Sequence, residues 1–202
     1  MSQATEAPPR LSLVDPDKTT DEVAEAFKLL PVINVFRAMA NAETLYPTYI
    51  AYVDLLFKPL ALDAALERMI VLRVVKRSDC FYAWRQNVVV AHSVGVTDEQ
   101  IAALDNGDTS ASCFTDEQKA AFAFSDEVMD LIEVTDRTYQ TAKQHFSDRV
   151  LTEILYVVGT YMFVSRVIRT GRVPLDDEPA PSPQQIAPAH GRALLEPARP
   201  IA

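Results

Sequence analysis

The sequence predicts an all-α protein, on three observations. Apolar residues recur every three to four positions through most of the chain, as at Leu62, Leu66, Met69, Ile70 and Val74, which is the period of a helix with one buried face. Short polar runs that open helices recur as well: Thr97-Asp98-Glu99-Gln100, Thr115-Asp116-Glu117-Gln118 and Ser147-Asp148. No alternation of period two survives for more than a few residues, and Asn106-Gly107 lies between helical runs, not between strands.

Taken in order, Asp21 to Leu30 reads as a short helix with acidic residues at its start, stopped by Pro31. A second helix runs around Val35 to Ala40, and a third runs through Tyr49, Val53 and Phe57 to the stop at Pro59. Leu62 to Lys76 is the first strongly amphipathic helix. Ser78-Asp79 can cap the next, Cys80 to Ser93, which Gly95 ends. A short helix opens at Thr97, a long one runs from Thr115 to Ile132 or Glu133, and another short one covers Thr135 to Phe146. The last is capped by Ser147 or Asp148 and runs to about Arg169, where Gly171 and Pro174 close it.

The chain has 202 residues, nearly half of them apolar, enough for one domain with a sizeable core. Three segments are expected: a loose arm over 1–20, a helical domain over 21–177, and a tail over 178–202. The tail carries six prolines and cannot be a regular helix. A net charge of -9 argues against nucleic acid as a partner. Apolar runs such as Val88–Ala91 and Ile154–Gly159 fall short of the roughly 20 residues that cross a bilayer, so no membrane partner is expected. No secretory leader is legible. Two cysteines, Cys80 and Cys113, are too few for a disulfide framework and point to a reducing, cytoplasmic setting. Three scattered histidines give no metal site, and five glycines give no phosphate loop, so no cofactor is expected.

Two stretches carry a family resemblance. The first runs from Leu66 through Val75 to Cys80-Phe81-Tyr82-Ala83-Trp84-Arg85-Gln86-Asn87 and on to Thr97-Asp98-Glu99-Gln100-Ile101. The second joins Tyr156-Val157-Val158-Gly159-Thr160-Tyr161 to Gly171-Arg172-Val173-Pro174-Leu175-Asp176-Asp177. With Asn34 to Arg37 and Pro47 upstream, their order and spacing resemble the carboxymuconolactone decarboxylase and alkylhydroperoxidase D-like superfamily over residues 34–178. The resemblance implies a helical domain that assembles as trimers, hexamers or other rings, and a small-molecule substrate.

It also implies reactive residues that this chain largely replaces. Thiol-dependent relatives carry two cysteines three apart, a His and an upstream Glu; here those positions are Cys80, Ala83, Asn87 and Arg68. The His of the family's later Gly-His-Tyr pattern is Thr160. Disulfide-cycling peroxidase chemistry is therefore not expected, since no second thiol follows Cys80 at one helical turn.

What remains is a polar and aromatic set. Asn87, Tyr82, Arg68 and Cys80 are the candidate catalytic residues; Trp84, Arg73, Tyr156, Thr160 and Tyr161 are the candidate substrate contacts. Cys80, Ala83, Trp84 and Asn87 share a helix face by spacing. Arg68 has two readings, an ion pair with Glu67, Asp63 or Asp79, or an anion clamp on substrate. The leading function is a cofactor-independent lyase, isomerase or decarboxylase acting on a small oxygenated or anionic organic molecule. A catalytically silent oligomer that binds a ligand or partner, and a single-cysteine thiol enzyme built on Cys80, are the alternatives.

Overall fold

The signals at Thr97, Thr115 and Ser147 become helix starts in the structure, a computed structural model that describes residues 8–181. Thr97 and Thr115 each accept a hydrogen bond from the backbone N–H three residues on, and Gln100 and Gln118 return one to the threonine backbone. Asp63, Thr135 and Ser147 cap three further helices through their side-chain oxygens. The described residues form nine α-helices and no strand: α1 (Asp21–Ala26), α2 (Asn34–Met39), α3 (Tyr46–Leu56), α4 (Ala64–Arg77), α5 (Phe81–Ser93), α6 (Asp98–Asp105), α7 (Asp116–Leu131), α8 (Asp136–Lys143) and α9 (Asp148–Gly171). The all-α expectation is met.

The core is built on α4 and α9, packed against each other and flanked by α5 and α7. From Leu66 to Val75 every residue of α4 except Arg73 is buried, so this helix is enclosed on all sides. That enclosure forces two charged residues, Glu67 and Arg68, into the interior. Among the described residues, α9 is the one helix long and apolar enough to cross a bilayer, longer than the apolar runs visible in the sequence. Half of its most apolar stretch is buried against the other helices, as in the core helix of a bundle.

Three local expectations need correcting. Residues 8–14 are not loose: the Arg10 and Leu11 amides bond to Gly171 O, and Val14 N bonds to Arg37 O. The N-cap of α5 is Cys80, not Ser78 or Asp79, because Asp79 takes a left-handed conformation (φ 47°) where Arg169 holds both its carbonyl and its carboxylate. The domain continues past 177, since residues up to 181 lie on α5; the rest of the tail is outside the described residues.

At the end of α7, Ile132 has φ 71° and is 91% exposed. A β-branched residue is strained there and gains nothing from packing. Ile132→Gly should therefore raise stability by about 1 kcal/mol in chemical denaturation. An unchanged or lower midpoint would contradict the strain.

Candidate functional site

Between α2, α3, α5 and α9 lies a cavity of about 80 Å³, and the segment after α9 covers it. Its walls are mostly apolar, among them Val53 and Phe57 of α3 and Val164 of α9. Its polar groups come from α5 and α9. Asn87 and Ala83 lie one turn apart on α5, and Thr160 and Tyr161 project from α9.

Behind Asn87 and Tyr161 sits Arg68, 2% exposed and set back from the cavity. Its guanidinium donates to Asn87 Oδ1 (3.1 Å) and to the Tyr161 hydroxyl (2.9 Å), and forms a two-point ion pair with the buried Glu67 carboxylate. The Phe57 ring lies 4.8 Å from the guanidinium carbon. Tyr161 in turn donates to Asn87 Oδ1 (3.1 Å), and Asn87 Nδ2 donates to Ala83 O (2.8 Å). These bonds occupy both atoms of the Asn87 amide but leave one of its two N–H groups for a ligand.

Burial would lower the pKa of Arg68, but Glu67 and Tyr161 reverse this and drive it up, so the guanidinium stays charged. Burial pushes the Glu67 carboxyl up, with Arg68 pulling the other way. Burial also raises Tyr161 against the same pull, which leaves a neutral phenol at physiological pH backed by a fixed positive charge. A neutral hydroxyl can give up a proton, and the guanidinium behind it offsets part of what burial costs the phenolate.

The other expected residues divide. Thr160 lines the cavity, and its hydroxyl is 2.6 Å from that of Tyr52. Tyr82 lines it with its ring, but its hydroxyl bonds to Asp176 and accepts from Val35 N. Four residues expected at the site lie elsewhere. Arg73 points to α7, in a two-point pair with Asp126 (2.9 and 2.8 Å). Trp84 is turned into the core on the side of Lys76, whose Nζ is 5.7 Å from its ring. Tyr156 is 58% exposed and its ring packs at a tilt against Tyr52 outside the cavity. Cys80 is fully buried away from the cavity lining, and burial pushes its thiol up, the reverse of an activated nucleophile. Neither Cys80 nor Cys113 is in a disulfide.

Glu67, Phe57, Gln86 and Asp176 complete the surroundings and were not read from the sequence as site residues. For Asp176 the usable signal is its place in the Val-Pro-Leu-Asp stretch of the family resemblance.

Burial holds the pKa of Tyr46, Tyr49 and Tyr82 far above the ordinary value near 10, with Asp176 adding to the rise at Tyr82. With native values raised, the folded chain binds more protons than the unfolded chain above about pH 10. The stabilisation is complete below that pH and is lost as pH rises further. Urea midpoints should hold steady from pH 8 to about pH 9.5 and then fall; a midpoint unchanged to pH 11 would contradict this.

Helix order, central α4–α9 pair and buried cavity together define an alkylhydroperoxidase D-like helical fold. No protein-family model matches the chain, and no curated protein matches it. Solved structures do. An uncharacterized peroxidase-related protein from Ralstonia eutropha JMP134, described as an alkylhydroperoxidase AhpD core, matches with a TM-score of 0.73 and 18% identity, covering 86% of this chain and 95% of that one. A peroxidase-related protein from Silicibacter sp. TM1040 matches at 0.68 and 23%, covering 88% and 96%. The debrominase Bmp8, as a cysteine-to-alanine variant in complex with 2,3,4-tribromopyrrole, matches at 0.68 and 13%, covering 85% and 94%. At these identities the likeness establishes the fold.

Proposed function

We propose that the chain is an enzyme that binds a small, mainly apolar organic molecule bearing an oxygen function, and carries out lyase-, isomerase- or decarboxylase-type chemistry on it. The observation that carries this reading is an apolar cavity with one polar corner, where Asn87 and Tyr161 are fixed by the buried Arg68–Glu67 pair. Asn87 orients the substrate oxygen with its remaining N–H. Tyr161 turns its O–H from Asn87 Oδ1 to that oxygen, supplies the proton as charge develops there and takes it back, and Arg68 offsets part of the cost of the buried phenolate. Arg68 thus serves as a positioning charge, not as the anion clamp. Bmp8, which shares the fold, is solved with a five-membered aromatic ring, which supports a small flat ligand here as well.

The test is to identify what co-purifies by mass spectrometry, then to follow turnover of related oxygenated compounds by NMR in wild type and Asn87→Leu. Loss of one buried hydrogen bond to ligand should weaken binding by roughly 10- to 100-fold. Binding that ignores Asn87→Leu would sink the assignment.

A binding protein without chemistry is the second reading, favoured by the Thr160 hydroxyl being already engaged with Tyr52. Both readings accommodate assembly. Tyr156, Phe163, Leu155 and Leu55 expose apolar surface on adjoining faces of α9 and α3, and a second copy of the chain is the occupant expected from the family resemblance. Light scattering should give a multiple of 22.4 kDa, and a clean monomer would remove this part. A cytoplasmic, reducing setting suits two unpaired thiols.

A further inference from the structure

After α9 the chain turns at Arg172 and runs back across α5 and the start of α2. Asp176 anchors this strap. Its carboxylate accepts from the Asn34 backbone N–H (2.9 Å), from Gln86 Nε2 (2.8 Å) and from the Tyr82 hydroxyl. Its carbonyl and that of Asp177 accept from Arg85 (2.7 and 2.8 Å). Beyond this anchor the fastening thins. Ala180 N donates to Gln86 Oε1 (2.8 Å), and Arg85 reaches the exposed Glu178 only at 3.9 Å. Ala180 and Pro181 then form part of the cavity wall. The Gln86 side chain therefore ties the firm part of the strap to its tip, with one end of its amide on each, and it lines the cavity itself.

Size makes this arrangement consequential. With the strap in place, the partly open cavity offers about 80 Å³, whereas a dry cavity that admits benzene measures roughly 150 Å³. A ring-sized molecule needs more room than the cavity offers with the strap in this position. The walls from α3, α5 and α9 belong to a close-packed core that resists displacement. Among the described residues, the end of the strap is held to α5 by one backbone hydrogen bond, from Ala180 N to Gln86.

Resting on the reading of the cavity as the substrate site, we infer that Gln86 is a specificity-determining gate residue. Releasing the tip from Gln86, with Asp176 as the hinge anchor, admits the substrate, and refastening it sets the largest size the site accepts.

The test uses the full chain with phenol, 4-ethylphenol and 4-butylphenol as probes, in wild type, Gln86→Met, Gln86→Ala and Asn87→Leu. Binding is followed by NMR, together with amide hydrogen exchange at Ala180 and Asn34. Wild type should prefer phenol and bind it in an Asn87-dependent way. The Gln86 variants should reduce the preference for the smallest probe by about tenfold and speed exchange at Ala180 by a similar factor, leaving Asn34 protected. Two variants guard against a folding defect in either one. If phenol binds through Asn87 but the size ranking and Ala180 exchange are unchanged in both Gln86 variants, the gate is wrong and the cavity reading stands. If phenol does not bind wild type, or binds it without regard to Asn87, the cavity reading fails and the gate fails with it.

Discussion

Glu67→Gln should destabilise the fold by about 3–5 kcal/mol, the range for removing one member of a buried ion pair. The substitution changes the shape of the site very little. It leaves the Arg68 guanidinium, 2% exposed, with only the Tyr161 hydroxyl, Asn87 Oδ1, one amide oxygen and the Phe57 face to balance its charge. Arg68 cannot escape by losing its proton in the accessible pH range. Removing both charges together is a different matter. Glu67→Leu with Arg68→Met fills similar volume without an uncompensated ion and should recover most of the loss, because a buried pair contributes little net stability over an apolar replacement. Urea denaturation of wild type, the single and the double variant measures this directly. A single variant within 1 kcal/mol of wild type would show that water reaches the pair.

The second large effect is on turnover. Tyr161→Phe removes the proposed proton donor and should lower kcat by about 100-fold or more, the usual weight of a positioned acid–base group. The ring stays, so the apolar wall is kept and ligand affinity should change by only a few-fold. Arg68 loses one acceptor in this variant, which should cost stability of about 1–3 kcal/mol. Kinetics must therefore be read at a temperature where the variant is fully folded. A drop in affinity with kcat unchanged would make Tyr161 a binding contact and favour the reading without chemistry.

Most of the helical framework was legible because its signals are local. Thr97, Thr115 and Ser147 act through bonds to backbone three residues away, so the sequence carries both partners together. The site was legible only in part, for the opposite reason. Asn87, Thr160 and Tyr161 reach the cavity as their helix positions suggested. Arg73 does not, because its partner Asp126 is 53 residues away and no local pattern announces that pairing. Spacing put Cys80, Ala83, Trp84 and Asn87 on one face, but α5 is packed on more than one side, and the stripe splits between cavity and core. Glu67 was one of three partners the sequence offered Arg68, and the pairing was not singled out because consecutive helix residues diverge by about 100°. Two long side chains on a wholly enclosed helix can still meet, and these do.

The burial of Cys80 has a practical side. Cys113 is partly exposed and Cys80 is not, so a thiol reagent added to the native protein should modify the first and spare the second. Cys80 would then react only when the helices around it separate. The rate of its labelling under native conditions reports how often the core opens. The chain thus carries a built-in chemical clock, placed beside α4 and independent of any ligand, against which each of the variants above can be timed.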